Sequence, residues 1–140
     1  MALTQESPSS LSIRVYYEDT DAGGVVFYGN YLKFFERGRT EWLRRLGVNQ
    51  SELAAREQRM FVVKTVEIQY RKPARLDDLL MVHSKITRLG HAFIDFQQSA
   101  LCGGELLCES TIKVCSVNTN TLRPAALPRE LRTLLEKVQK

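Results

Sequence analysis

Apolar and polar positions alternate near the start of the chain and then change period. Ile13, Val15 and Tyr17 alternate with Arg14, Tyr16 and Glu18, the two-residue period of a half-buried strand. From Asn30 the period becomes helical. Tyr31, Phe35, Gly38, Trp42 and Leu46 make one stripe, and Lys33, Arg37, Glu41, Arg44 and Arg45 fall mostly away from it. The pattern predicts a long helix over residues 30–46, with Asn30 as its N-cap and Gly47 as the C′ glycine. Gly38 within the stripe weakens the helix by about 1 kcal/mol relative to Ala, which fits close approach to a sheet. A second, more polar helical piece, SELAAREQRM, follows from Ser51.

Beyond Phe61 the period returns to two. Val66, Ile68 and Tyr70 alternate with Glu67, Gln69 and Arg71, and Pro73 ends that strand. Leu79 to Arg88 is the next strand, closed by a turn at Gly90. Ala92 to Leu101 pairs with Leu106 to Val117 across Gly103-Gly104, a two-residue hairpin signal. That register sets Cys102 opposite Glu105 and Cys108 opposite Ser99. Pro128 opens a short amphipathic helix with Leu131, Leu134, Leu135 and Val138. The predicted architecture is α+β: a five-stranded antiparallel sheet wrapped around a long central helix. Residues 1–11 read as a flexible N-terminal tail and 12–140 as a single domain.

Composition narrows the class. With 44% hydrophobic and 26% charged residues among 140, the chain reads as an ordinary globular domain, and its apolar runs are too short to insert into a membrane. MALTQESPSS lacks a basic stretch followed by an apolar one, so no secretory signal is expected. Three cysteines, Cys102, Cys108 and Cys115, without CxxC spacing point to reduced thiols and a cytoplasmic location. The net charge of +4 is spread among acids with no basic run, which weighs against nucleic acid; a modest positive field also suits a small polyanionic ligand, and charge alone leaves the two readings open. His83 and His91 have no ligand-like spacing to each other or to a cysteine, so no metal is expected.

The chemistry concentrates before the long helix. In YEDTDAGGVVFYGNY two acids, Asp19 and Asp21, lead into Gly23 and Gly24, a short apolar run and the helix start. A helix N-terminus offers free N–H groups and a favourable dipole, and glycines before it remove the Cβ atoms that would hold a ligand away. Spacing alone does not separate Asp19 from Asp21.

The run DTDAGGVVFYGNYLKFFERGR resembles the aspartate-type hotdog thioesterases, the group that includes 4-hydroxybenzoyl-CoA thioesterase. YYEDTDAGGVV, FVVKTVEIQYRKPARLDD and RPAALP are similar to the Tol–Pal-associated acyl-CoA thioesterases of the YbgC type. The resemblance runs from about Ser12 to Leu131. It implies a hotdog fold, hydrolysis of acyl-CoA without metal or other cofactor, and a homo-oligomer, a dimer or a dimer of dimers. An acyl carrier protein is the alternative donor.

By the same resemblance Asp21 is the catalytic aspartate, as nucleophile or as general base toward water, and the backbone N–H of Tyr28 holds the carbonyl oxygen. Asp19 is then a loop-holding residue. Tyr28 departs from the YbgC type, which commonly has His there; this touches the side chain and leaves the amide's role intact. Gly24, Phe27, Tyr31 and Glu36 are placed around the acyl group. Glu36 has the alternative of simply pairing with a neighbouring Arg, and Phe27, Tyr31, Phe34 and Phe35 that of plain core. Arg71 and Arg88, with Lys72, Arg75 and Lys85, are candidates for the CoA phosphates. Competing readings are a hotdog dehydratase, which needs a His paired with a helix acid, and a non-catalytic acyl-CoA-binding adaptor.

Overall fold

A computed structural model describes residues 9–139. In chain order it contains β1 (Ser10–Arg14), a single 3₁₀ turn (Tyr17–Asp19), α1 (Asn30–Arg45), α2 (Gln50–Glu57), β2 (Arg59–Tyr70), β3 (Leu79–Leu89), β4 (Phe93–Cys102), β5 (Glu105–Asn118) and α3 (Arg129–Val138). The strands form one antiparallel sheet in the order β1-β3-β4-β5-β2, so β1 and β2 are its edges. The five-stranded sheet around a long helix is the α+β arrangement expected from the periodicity and the hotdog fold that the resemblance implies. No helix among the described residues is long and apolar enough to cross a membrane.

The sheet curls around α1 because one face of each inner strand is apolar. Leu80, Val82 and Ile86 of β3, Ile94, Phe96 and Ala100 of β4, and Ile112 and Val114 of β5 are buried against Phe34, Phe35, Trp42 and Leu43 of the helix. Trp42 meets Phe96 edge-on, with centroids 5.6 Å apart. Fully burying a side chain the size of Phe34 or Phe35 contributes about 1.5–3 kcal/mol. Gly38 marks the closest approach: a Cβ there would stand 2.8 Å from Val82 Cγ1 and 3.2 Å from Gln98 Nε2 and Ser84 Oγ.

A polar rib crosses the inner face beneath this contact, since Ser84, Gln98 and Ser110 are register partners on β3, β4 and β5. Gln98 Nε2 donates to Phe35 O and Ser84 Oγ, each at 2.8 Å, and its Oε1 accepts from Arg39 Nη1 at 2.9 Å. Gln98 thus joins helix to sheet while satisfying its own buried amide. Burial lowers the Arg39 pKa, and nearby Glu36 opposes that shift.

Several local expectations are corrected. β1 begins at Ser10, inside the stretch read as tail; residues 1–8 lie outside the described residues. Tyr17 is not in a strand: it lies in the 3₁₀ turn and is 81% exposed. Gly29, not Asn30, occupies the N-cap of α1, and no side chain caps that end. Gly47 follows the helix at φ +95°, the left-handed C′ position expected of it. Pro128 is the N-cap of α3, one place before the first helical residue. In the β4–β5 hairpin Cys102 does face Glu105, but an irregularity between Ala100 and Leu101 shifts the ladder, so Cys108 faces Ala100 and Ser99 faces Glu109. The three thiols are free.

Candidate active site

The stretch between the 3₁₀ turn and α1 is a small hairpin. Thr20 bridges Val26, Asp21 N donates to Val25 O at 2.9 Å, and Phe27 N donates to Asp19 O at 3.0 Å. Its tip closes on Asp21: Gly24 N donates to Asp21 O at 3.0 Å and Gly23 N to Asp21 Oδ1 at 2.8 Å, an Asx turn. Gly24 has φ +80°, where a side chain would be strained, and an added Cβ would meet nothing within 4 Å. Asp21 is therefore exposed at the tip, oriented through one oxygen, beside a bare stretch of backbone.

The second acid does a different job. Asp19 is 5% exposed; its Oδ2 accepts from Tyr16 N at 2.9 Å and its Oδ1 from Asn30 Nδ2 at 2.8 Å. It ties the turn before the hairpin to the first residue of α1. The hairpin also rests on the segment after β2: Val26 N donates to Ala74 O at 2.8 Å, Val25 bridges Arg75, and Arg75 N donates to Asp78 Oδ2 at 2.9 Å. Asp78 O in turn accepts from Val15 N at 2.9 Å, next to the end of β1.

At the foot of α1 a turn closes with Asn30 N donating to Phe27 O at 2.8 Å. Its two central N–H groups, on Tyr28 and Gly29, meet no acceptor among the described residues. They sit at the positive end of a sixteen-residue helix, where a developing negative charge is favoured. The Tyr70 hydroxyl donates to Tyr28 O at 3.0 Å, and the Tyr70 ring stands edge-on to Tyr28 and Tyr31 at 6.3 and 5.6 Å between centroids. Burial raises the Tyr70 pKa, which keeps its hydroxyl a donor. Val26, Tyr28, Tyr31, Tyr70, Arg71, Lys72 and Pro73 line a cavity of about 270 Å³ here.

Of the residues singled out in the sequence, Asp21, Gly24, Phe27, Tyr28 and Tyr31 fall on the hairpin and the foot of α1. Phe27 packs on Tyr28 at 4.6 Å and is half exposed, whereas Tyr31, Phe34 and Phe35 are buried in the core. Glu36 is exposed on α1 and accepts from Thr40 Oγ1 at 2.8 Å. Arg71 and Lys72 reach the cavity but are paired to Glu109 and Glu105. Arg75 lies against the hairpin. Arg88 is not brought to it: it lies nine positions along β3, about 30 Å of strand, from Leu79 at the near end, and over the Phe93 ring at 5.3 Å. Lys85 lies on the same far half of β3. His83 accompanies Ser10, its Nδ1 2.5 Å from the hydroxyl, on the pairing of β1 with β3. Reading the sequence missed Tyr70 and the side chain of Asn30; only Asn30 carried a signal, and it pointed to capping.

Comparison with known proteins bears on the family and the fold. Residues 23–109 match the family model of the thioesterase superfamily. The chain is 46% identical over 123 residues to the acyl-CoA thioesterase YbgC of Haemophilus influenzae, covering 88% of this chain and 90% of that protein. It is 42% identical over 120 residues to the acyl-CoA thioester hydrolase YbgC of Escherichia coli, covering 85% and 89%. A probable thioesterase from Bartonella henselae superposes with a TM-score of 0.82 at 38% identity, covering 85% of this chain and 98% of that one.

Proposed function

The chain belongs to the thioesterase superfamily, and from that premise we propose that it hydrolyses acyl-CoA thioesters, with Asp21 supplying the attack and the Tyr28 N–H receiving the carbonyl oxygen. One observation carries the site assignment: a single hairpin holds an exposed carboxylate at its tip and ends at an N–H on the foot of α1 that is unpaired among the described residues. Negative charge grows on the thioester oxygen as the carbonyl carbon becomes tetrahedral, and a fixed N–H at a helix N-terminus stabilises it without reorganisation. Asp21 delivers the new oxygen in one of two ways. It adds to the carbonyl to form a mixed anhydride that water then opens, or it takes a proton from the water that adds. In both, the C–S bond breaks and CoA leaves as thiolate. No metal or cofactor enters the proposed reaction.

Asp19 is the positioning acid, because both its oxygens are spent inside the fold. Arg71 and Lys72 line the cavity and Arg75 bridges the hairpin, and these are the proposed neighbours of the CoA phosphates. A homo-oligomer is part of the proposal. β2 is an unpaired edge twelve residues long, and its helix-facing side shows Val63, Val66 and Tyr70 at 50%, 38% and 46% exposure. Such an edge normally pairs or is covered.

The test is thiol release from short, long and aromatic acyl-CoAs by wild type, Asp21→Asn and Asp19→Asn. Turnover that falls about a thousandfold in Asp21→Asn, with far less loss in Asp19→Asn, is the expected result. Loss confined to Asp19→Asn would move the reacting acid. A folded wild-type protein that cleaves no CoA ester would overturn the CoA reading and turn attention to acyl carrier protein esters. After a single turnover in ¹⁸O water, label in the Asp21 peptide would establish the anhydride opened by water at the Asp21 carbonyl, since general base catalysis puts the label in the product acid alone.

A further inference from the structure

The Tyr70 hydroxyl does not bond to the N–H of Tyr28; it bonds to the carbonyl of that residue, at 3.0 Å. That carbonyl shares its peptide plane with the N–H of Gly29, the second donor at the foot of α1 without an acceptor among the described residues. Fixing the oxygen fixes the plane and therefore the direction of the Gly29 N–H. A donor on the carbonyl also polarises the amide and strengthens its N–H as a donor in turn.

We propose that the Gly29 N–H is a second hydrogen-bond donor to the reacting oxygen beside that of Tyr28, and that Tyr70 is the positioning residue that holds it. The inference rests on the thioesterase reading above and adds two residues to it. Three further observations fit. Gly29 is helical, at φ −68° and ψ −19°, so its N–H belongs to the free set that opens α1. No side chain caps this end, although Asn30 stands beside it; Asn30 Nδ2 is drawn instead to Asp19. The Tyr70 ring is braced by Tyr28 and Tyr31, and its main chain pairs with Cys108 of β5, so the hydroxyl is presented from the sheet and not from a loose loop. Two donors held on one turn stabilise a developing oxyanion more than one does.

Tyr70→Phe removes the hydroxyl and keeps the ring. With a good acyl-CoA substrate the expected result is a fall in kcat of about tenfold or more, with KM within about twofold of wild type and an unchanged midpoint of urea unfolding. The second measurement does not depend on turnover. A ketone analogue of acyl-CoA, with a methylene in place of the sulfur and a ¹³C carbonyl, is bound to each protein and its carbonyl stretch recorded. Two donors pull the band to low frequency in wild type, and loss of the aligned Gly29 N–H moves it back up in Tyr70→Phe. An unchanged kcat, an unchanged band, or a loss of activity matched by a loss of stability would each overturn the proposal. If wild type itself cleaves no acyl-CoA while the bands differ as described, the proposed reaction fails and the two-donor site stands. If wild type turns over and the bands coincide, the reverse holds.

Discussion

Asn30 Nδ2 donates to Asp19 Oδ1 over 2.8 Å, and both side chains are buried. This one bond joins the first residue of α1 to the turn that launches the hairpin. Asp19→Ala strips the acceptor from a buried amide and from the Tyr16 N–H together. The stranded Asn30 amide costs about 1–3 kcal/mol, while the Tyr16 N–H, on a residue 62% exposed, can turn to water, so a loss of about 1–3 kcal/mol is expected from urea unfolding. Asp21→Asn, at an exposed position, is expected to change stability by less than about 0.5 kcal/mol. The two acids thus separate by which quantity responds: stability for Asp19, turnover for Asp21. An Asp19→Ala protein as stable as wild type would refute the tie.

Gly38 is where the sheet and α1 meet most closely. Alanine there improves helix propensity by about 1 kcal/mol, but its methyl must displace Val82 and crowd the Gln98 amide that bridges α1 to β3. Overpacking of this kind costs about 1–3 kcal/mol, and disturbing Gln98 adds to it. Gly38→Ala is expected to be destabilised by about 1–3 kcal/mol. The Gly38→Ala/Val82→Ala pair is expected to lose less than the sum of the single changes, since the smaller partner makes room. Additive losses would show that the contact is not limiting.

The same region shows what the sequence discloses. The apolar stripe of α1, Gly38 within it and the alternation in β2 to β5 are local patterns, and each lies where periodicity put it. Features set by a distant partner were not legible. Asn30 looks like a cap because caps are local, yet its side chain is claimed by Asp19, eleven residues away. Tyr17 continues an alternation but turns out of the sheet, because Asp19 closes a turn on Tyr16. Ser10 has no apolar signature, and it joins β1 through pairing with His83. The hairpin register slips because one irregularity near Leu101 cannot be read from Gly103-Gly104 alone. Tyr70 reached the site only through the curl of the sheet, and Arg88 missed it because β3 carries that residue to the far end.

Cys108 and Tyr31 make stability depend on pH at the alkaline end. Burial, the larger cause, pushes each group up to about 12; Glu109 adds to the shift of Cys108, and Cys108 to that of Tyr31. Both are neutral in the folded protein at neutral pH, while in the unfolded chain they ionise near 9 and 10. The unfolded state therefore releases protons first as pH rises, and stability drops with pH through that window. The contribution is whole below about pH 9 and gone near pH 12. Urea midpoints are expected to be flat from pH 7 to 8.5 in this respect and to fall from pH 9 to 11. Cys108→Ala is expected to fall less steeply over that range. Equal slopes for the two proteins would remove the thiol from the account.

The exposed edge of β2 gives the last prediction. Val63 and Val66 lie on the side of β2 that faces α1, yet the protomer leaves them half open, because the helix packs most closely on β3 and β1, away from this edge. A second copy pairing along β2 would satisfy the free backbone groups and cover both valines at once, and twelve residues of strand provide the length for it. Val66→Lys leaves the protomer's own core almost untouched but would bury an ammonium in that pairing, at several kcal/mol. Wild type is expected to sediment as a dimer or larger at micromolar concentration, and Val66→Lys as a smaller species with a near-normal circular dichroism spectrum. The Tyr28–Tyr70 cavity opens beside this edge, so turnover should fall with dissociation and return, for wild type, as concentration rises. A monomeric wild type with full activity at all dilutions would sink the idea that a second copy completes the site.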